Sequence, residues 1–364
     1  MQTKFQVIDS LFRRQRAERV GLYDTLWGGT MKKWAAQGMP VDEAGAAVNP
    51  IDHFGYDMSG ARGWFDNMPK RAFSELVEET GEWKIVRNGA GAALKYWKDK
   101  DGTPEHIDFL MNSREVWERD YKPHLLTLDR ERVDLVDTKR VLERRRAQGY
   151  WTYYGNLFIF EIMRQSMGDY TMYMSLAADK DWVHDFCQTY LDFFKMHFKL
   201  IFEESGVPDG IWLYEDLGYK LRLFASPETM KELIFPYYAR LVEFFHSYGL
   251  FVVLHTCGCT EPALDMIVDA GFDALNPMEN KAGNDPFRIA EKYGDKLMLI
   301  GGLDARVFET NDRDIVKREV VKFIEGMKSR GARFCFGSDH SLSTNIDYDT
   351  YRYALDVYHA HKYY

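Results

Sequence analysis

The second half of the chain alternates short apolar segments with longer amphipathic ones, and this alternation constrains the fold more than any other feature. The apolar segments predict five strands, at 210–215, 250–255, 273–277, 296–302 and 333–339. The amphipathic segments predict helices at 226–249, 261–271, 285–294, 312–331 and 347–362. Because nearly every strand residue is apolar, both faces of the sheet must be covered, as in parallel sheets. The pattern predicts right-handed βαβ units, in a (β/α)8 barrel or a doubly wound sheet.

The first half of the chain is less regular. Residues 151–161 ("WTYYGNLFIFE") are typical of a strand that leads into a helix, and a long helix is expected over 180–206. The segment 83–98 resembles a hairpin with a glycine-rich turn, and residues 1–50 are expected to form helices outside the barrel. Since no repeat or linker divides the sequence, we expect one domain over 1–364, with 1–50 as an N-terminal helical extension.

Composition narrows the possible partners and the compartment. The net charge is −9, the pI is near 5.6 and no lysine or arginine cluster occurs, which argues against nucleic acid as a partner. No apolar stretch approaches the roughly 20 residues of a membrane helix. Four cysteines do not make a disulfide framework in a chain of 364 residues, so we expect a cytoplasmic protein without a membrane partner.

Metal-ligating and acidic side chains stand at the predicted carboxyl ends of the strands, where parallel α/β folds place their functional groups. His255 and Cys257, two positions apart in "LHTCG", point to the same side of an extended chain. Imidazole and thiolate together suit Zn²⁺, and Glu279 and His340 at later strand ends complete a predicted four-ligand site. The alternative for the histidine and cysteine pair is a buried thiol beside a hydrogen-bonded imidazole.

Three further residues bear on this metal site. Cys335 lies inside the last predicted strand and replaces His340 as a ligand only if that strand shifts; otherwise it belongs to the core. Asp339, beside His340, is expected to fix the imidazole by a hydrogen bond or to cap the following turn, and Asp304 is assigned a similar supporting role.

Two cysteines are not expected to bind the metal. Cys259 lies past the strand end, beyond the alternation that relates His255 and Cys257, and Cys187 lies in the middle of a predicted helix.

Glu215 and Asp216 form a consecutive acidic pair after the strand at 210–215. Consecutive residues of a strand point in opposite directions, so one of the two is expected to face the barrel mouth. A carboxyl group there is a candidate catalytic proton donor if burial raises its pKa. The alternative is a helix cap or a salt bridge.

Several segments together resemble the uroporphyrinogen decarboxylase-like superfamily over about residues 50–360: "NPIDHFGYDM", "GNLFIFEIMRQSMGD", "HTCG", "DALNPME", "IGGLDARVFE" and "GSDHSLSTNIDYDTYRYALDVY". The resemblance implies a distorted (β/α)8 barrel, here with extra N-terminal helices. The true decarboxylases carry an "RQAGR" motif that binds a tetrapyrrole, and "RRQRAERVGLYD" lacks it. The other branch comprises zinc-dependent methyltransferases that work with a corrinoid protein and carry an H-x-C pair, which "HTC" matches at His255 and Cys257.

The resemblance also locates the remaining ligands and one departure. Cobalamin-independent methionine synthases have a similar zinc site with an additional glutamate, and Glu279 falls at its place. The family's late cysteine, in "GPGCG", is replaced by His340 in "GSDHS". A site with one thiolate leaves less negative charge on the metal than a site with two. The metal is then a stronger Lewis acid and a poorer activator of a bound thiol.

The resemblance and this departure together predict a zinc-dependent methyltransferase of the O-demethylase type. It would move a methyl group between a small methylated donor, such as an aromatic methyl ether, and a corrinoid (cobalamin) carried by a partner protein. The alternatives are a metal-independent decarboxylase on the same barrel and a non-catalytic corrinoid-binding protein.

Overall fold

Eight parallel strands form a single sheet in the computed structural model, which describes residues 1–99 and 102–364. In chain order we name them β1 (Gly21–Leu22), β2 (Met58–Gly60), β3 (Trp151–Leu157), β4 (Gly210–Tyr214), β5 (Phe251–Thr256), β6 (Ala274–Pro277), β7 (Met298–Ile300) and β8 (Phe334–Phe336). Neighbours in sequence are neighbours in the sheet from β2 to β8, and β1 pairs with β8. The sheet is therefore a nearly closed (β/α)8 barrel, which confirms the predicted fold class.

The gap between β1 and β2 is bridged by Asp57. The backbone N–H of Asp57 donates to Leu22 O (2.9 Å), and the N–H of Leu22 donates to the Asp57 carboxylate (2.8 Å). The guanidinium of Arg19 holds the same carboxylate with two hydrogen bonds of 2.7 Å. Polar side-chain contacts thus replace the missing strand pairing at the seam.

Helices surround the barrel, and buried side chains of the helix Lys4–Phe12 pack in one cluster with residues of its strands. The α-helices span Lys4–Phe12, Gly28–Ala36, Pro50–His53, Arg114–Val116, Leu135–Ala147, Ile159–Ala178, Lys180–Ser205, Pro227–Leu233, Phe235–His246, Leu264–Asp269, Pro286–Tyr293, Ala305–Glu309, Arg313–Ser329 and Tyr348–His361. One π-helical turn spans Trp117–Tyr121, and 3-10 turns span Lys122–Leu125, Arg130–Arg132, Glu261–Ala263 and Asn280–Ala282. In the part of the chain that the structure describes, no helix is long and apolar enough to cross a membrane.

Two predicted elements differ in detail from the structure. The expected helix over 226–249 begins at its Ser226 cap but breaks at Ile234, because Pro236 disfavours continuous helix there. Within 1–50, two segments are helical as predicted, but Gly21–Leu22 is a barrel strand instead of part of an outer extension. A strand of two residues is too short to leave an apolar pattern.

A four-stranded antiparallel sheet is inserted between β2 and β3. Its strands are Ser74–Glu79, Trp83–Asn88, Ala92–Trp97 and Glu105–Phe109, paired in chain order. The second and third strands are the hairpin predicted at 83–98, which is confirmed. A small hairpin, Gly218–Tyr219 with Arg222–Leu223, follows β4.

Candidate metal centre

The register of β4 and β5 brings Asp216 beside the predicted histidine and cysteine. His255 pairs with Tyr214, and the next N–H along β4, that of Glu215, donates to His255 O (2.8 Å). Asp216 therefore leaves the sheet at the level of Cys257, and its carboxylate accepts a hydrogen bond from the Cys257 N–H (2.9 Å). The ligand atoms of Asp216, His255 and Cys257 all lie within 4.8 Å of one another, so the three side chains form a group that could hold a metal ion.

The imidazole of His255 is oriented for metal binding by Asn276 on β6. The amide nitrogen of Asn276 donates to Ile300 O (3.0 Å), which leaves Asn276 Oδ1 as an acceptor facing His255 Nδ1 (2.6 Å). Nδ1 thus carries the proton, and Nε2 presents its lone pair toward Cys257 Sγ, 3.4 Å away. This is the arrangement that usually fixes a metal-binding histidine.

The donor set fits zinc in chemistry and spacing. Zn–S and Zn–N bonds of about 2.3 and 2.0 Å in tetrahedral geometry separate the two ligand atoms by about 3.5 Å. The Sγ–Nε2 distance of 3.4 Å matches this value. Zn²⁺ accepts carboxylate, imidazole and thiolate ligands, and three protein ligands with a fourth position left open is the usual arrangement of catalytic zinc sites.

Burial sets the protonation states of Cys257 and His255. Burial raises the pKa of the Cys257 thiol well above its usual range, and the nearby carboxylates of Asp216 and Glu279 raise it further. Burial lowers the pKa of His255, which keeps its imidazole neutral. Without a cation the thiol therefore stays protonated, whereas a bound divalent ion would stabilise the thiolate.

Glu279 and His340, the other two predicted ligands, lie outside this group of three. The buried carboxylate of Glu279 accepts a hydrogen bond from Gly258 N (2.7 Å) and lies 3.3 Å from Lys281 Nζ. It faces a second hollow whose wall also includes Cys257. His340 lines the same cavity as the three grouped side chains, with its ring 6.3 Å from that of Trp27.

The predicted acidic pair divides as expected, with one member facing the mouth. Asp216 lines the cavity, whereas Glu215 is 1% exposed and turned toward the helix Ile159–Ala178. The Glu215 carboxylate accepts hydrogen bonds from the N–H groups of Phe160 (3.1 Å) and Glu161 (2.5 Å) at the start of that helix. Burial raises the pKa of Glu215, and the helix N-terminus is where a carboxylate is best accommodated.

Asp339 and Asp304 were expected to support the metal site. In the structure their carboxylates accept hydrogen bonds from backbone N–H groups of nearby loops and helix ends. Asp339 accepts hydrogen bonds from Asn280 N (2.7 Å) and Ala305 N (2.8 Å), which ties together the loops that follow β6 and β7. Asp304 caps the helix Ala305–Glu309 and forms an ion pair with Arg306.

The remaining cysteines also lie outside the group. Cys335 is fully buried in β8 and packs inside the barrel, where an added Cβ on Gly21 would lie 2.3 Å from its sulfur. Cys259 is held in the loop after β5 by its N–H, which donates to Tyr219 O (3.1 Å), and Cys187 is buried in the helix Lys180–Ser205.

The grouped side chains open into a cavity of about 220 Å³ at the carboxyl ends of the strands. The lining residues that the structure describes are Tyr23, Asp24, Thr25, Trp27, Thr103, Asp216, His255, Cys257, Asn276, Pro277, Ser338, His340 and Ser341. The Tyr23 hydroxyl forms a hydrogen bond of 2.6 Å with that of Tyr153 in the barrel interior.

Sequence reasoning missed the place of Asn276 and Asp24 in this cavity. Asn276 stood at a predicted strand end, but its amide was not considered as a partner for His255. Asp24 directly follows β1, a strand that the sequence pattern did not reveal.

Comparison with solved structures finds a similar fold that extends over nearly the whole of this chain. A methyltransferase from Methanosarcina mazei matches with a TM-score of 0.66 and 13% sequence identity, over 99% of this chain and 99% of that one. An L-ribulose 3-epimerase matches 63% of this chain and 74% of its own, with 15% identity and a TM-score of 0.37. A Xaa-Pro dipeptidase matches 64% and 65%, with 11% identity and a TM-score of 0.30.

Sequence comparison gives the family. A search of curated proteins finds no match to this chain. The family model described as uroporphyrinogen decarboxylase (URO-D) matches residues 160–361, which include β4 to β8 and all three grouped side chains. The chain therefore belongs to the uroporphyrinogen decarboxylase (URO-D) family.

Proposed function

We propose that this protein is a zinc-dependent methyltransferase that moves a methyl group between a small methylated donor and a corrinoid protein. The observation that carries the proposal is the convergence of Asp216, His255 and Cys257 at the mouth of a barrel, within 4.8 Å of one another. The whole-chain similarity to the fold of the Methanosarcina mazei methyltransferase supports it.

In the proposed site, His255 and Cys257 bind the metal through Nε2 and Sγ, and Asp216 supplies a carboxylate oxygen. Glu279 and His340 are candidates for a further ligand, and the position not taken by protein receives the substrate. A zinc ion held there would polarise the donor's oxygen or nitrogen and stabilise the leaving group. In such a transfer the carbon–heteroatom bond would break with its electron pair staying on the heteroatom, which would take up a proton from solvent. The partner's corrinoid in its cobalt(I) state would supply the electron pair that binds the methyl group.

The chain's own residues have distinct tasks in this proposal. Asn276 keeps His255 Nε2 deprotonated and directed at the metal. Of the two acids that the sequence offered as proton donors, Asp216 lines the cavity, and its task in the proposal is to bind the metal. Glu215 is proposed to act as a positioning residue, by holding the start of the helix Ile159–Ala178 against the end of β4 beside Asp216.

Metal analysis of purified protein and of two cysteine variants tests the metal site. We expect close to one zinc ion per chain in the wild type, and its loss in Cys257→Ala. The matched control Cys259→Ala removes a thiol from the same loop, outside the group of three, and should keep the metal. If Cys257→Ala retains zinc as well as the control does, the proposed site is wrong.

Transfer of a methyl group to cob(I)alamin tests the reaction. The purified protein is mixed with cob(I)alamin and a panel of aromatic methyl ethers, and methylcobalamin formation is followed by absorbance. We expect turnover with zinc-loaded wild type and none with Cys257→Ala. Metal-free protein that instead decarboxylates a carboxylated substrate would favour the decarboxylase alternative.

A further inference from the structure

We propose that the ligand of this cavity is a neutral or cationic small molecule and that Asp24 anchors its non-reacting end. This inference rests on the proposed function, because it takes the ligand to be the methyl donor whose methyl end lies at the metal group. It adds the charge class of that donor and a residue that selects for it.

Asp24 and the metal group lie on opposite sides of the barrel mouth. Strands follow one another in chain order around this eight-stranded barrel, so β1 and β5 are separated by half of its circumference. Asp24 comes two residues after β1, whereas His255 and Cys257 lie at the end of β5. Both sets of side chains line the same cavity of about 220 Å³. A small ligand can therefore contact both at once.

The carboxylate of Asp24 is fixed by neutral donors alone. It accepts hydrogen bonds from Thr25 N (2.9 Å), from Ser338 N and Oγ (3.2 and 2.6 Å) and from the Tyr351 hydroxyl (3.3 Å). Asp24 is 7% exposed, and no lysine, arginine or histidine within the described residues forms an ion pair with it. Burial raises the pKa of this carboxyl group to about 7. A rigid carboxylate that lacks a cationic partner and faces a cavity is suited to a ligand that supplies positive charge or a hydrogen-bond donor.

The described part of the cavity wall holds no permanently cationic side chain, and its histidines are His255 and His340. No lysine or arginine is among these lining residues, and His255 is taken up by the metal in the proposed function. A divalent ion would have its charge balanced by Asp216 and the Cys257 thiolate. Above its pKa, Asp24 then adds a negative charge that no lysine or arginine of the described lining balances. A carboxylate on the ligand would face this charge without compensation.

Two aromatic rings on the same wall fit a flat or cationic ligand. Tyr23 and Trp27 flank Asp24 in sequence, and both line the cavity. Aromatic faces attract cations and stack on aromatic rings. An aromatic methyl ether bearing an ammonium or hydroxyl group at its far end matches this arrangement, with the methoxy group at the metal and the polar group at Asp24.

Isothermal titration calorimetry of zinc-loaded protein with three matched ligands tests the inference. The ligands are meta-methoxybenzylamine, meta-methoxybenzyl alcohol and meta-methoxybenzoate, which share size and methoxy group and differ in charge. For wild type we expect the amine to bind at least about tenfold more tightly than the benzoate, with the alcohol between them. Equal or tighter binding of the benzoate, or no binding of the amine, overturns the inference without any variant.

The variant Asp24→Asn tests whether Asp24 causes the preference for the amine. It should bring the affinities of the amine and the alcohol to within about twofold of each other. The control Asp269→Asn removes the same charge from an exposed position at the end of the helix Leu264–Asp269 and should keep the wild-type order. Undiminished selectivity in a folded Asp24→Asn protein contradicts the role of Asp24. Since binding is measured without a corrinoid, failure of methyl transfer and failure of this inference are separate results.

Discussion

Replacing Asn276 by alanine tests how the imidazole of His255 is held for metal binding. The change removes the acceptor 2.6 Å from His255 Nδ1 and the donor 3.0 Å from Ile300 O. The ring is then free to rotate and to place its proton on Nε2, the atom that faces the Cys257 sulfur. Loss of such an orienting partner typically lowers metal affinity 10- to 100-fold, which is about 1.4–2.7 kcal/mol.

Stability must be separated from metal affinity in this experiment. Leaving the buried Ile300 carbonyl without its partner should cost about 1–3 kcal/mol of unfolding free energy. Asn156→Ala is the matched control, because Asn156 is also buried on a barrel strand and its amide donates to Phe65 O (3.1 Å). The control should lose similar stability but keep its zinc affinity.

The assay is competition for zinc against a chromophoric chelator, with urea unfolding followed in parallel on metal-free protein. Asn276→Asp keeps an acceptor for His255 Nδ1 and should recover most of the zinc affinity. Wild-type zinc affinity in Asn276→Ala would refute the reasoning, as would an equal loss in Asn156→Ala.

Three further predictions concern the barrel itself. Asp57→Ala breaks the buried ion pair with Arg19 at the seam and should lower the unfolding free energy by about 3–5 kcal/mol in urea titrations. A loss below about 1 kcal/mol would show that this ion pair does not stabilise the seam. A hydrogen bond to Asp273 raises the pKa of His246, so this pair stabilises the fold fully below the unfolded pKa of histidine and less as pH rises through the folded value. His246→Gln should therefore lose more stability relative to wild type at pH 5 than at pH 8, and the opposite order contradicts the ion pair. Gly21→Ala places a Cβ 2.3 Å from the sulfur of Cys335 on β8. This clash should cost about 1–3 kcal/mol of unfolding free energy and lower the melting temperature. An unchanged melting temperature would mean that the barrel interior adjusts without cost.

Local sequence pattern was sufficient for much of the fold. The strands β4 to β8 were predicted because each is a nearly continuous apolar run between amphipathic helices, as burial on both faces requires. The two-residue period of a strand placed His255 and Cys257 on one side of β5, where their ligand atoms lie 3.4 Å apart. The same period predicted that one of Glu215 and Asp216 would face the mouth.

What local pattern cannot supply is pairing between distant segments. The strand β1 has two residues, and its position depends on pairing with β8, more than 300 residues away. Without β1, Asp24 could not be placed in the cavity. The helix break at Ile234 is a smaller case, where Pro236 ended one helix and began another inside a continuous amphipathic pattern.

By itself the sequence pattern determined a parallel α/β sheet with a histidine and a cysteine at the end of β5, because side-chain periodicity and apolar burial are local properties. The choice of a barrel over a doubly wound sheet came from the family resemblance. Tertiary structure alone decided that Asp216 joins them, through the register that sets Tyr214 opposite His255. It also decided that Asn276 orients the imidazole and that Asp24 faces the group across the mouth. Each of these contacts depends on strand register and barrel closure, which arise from hydrogen bonds between residues far apart in the chain.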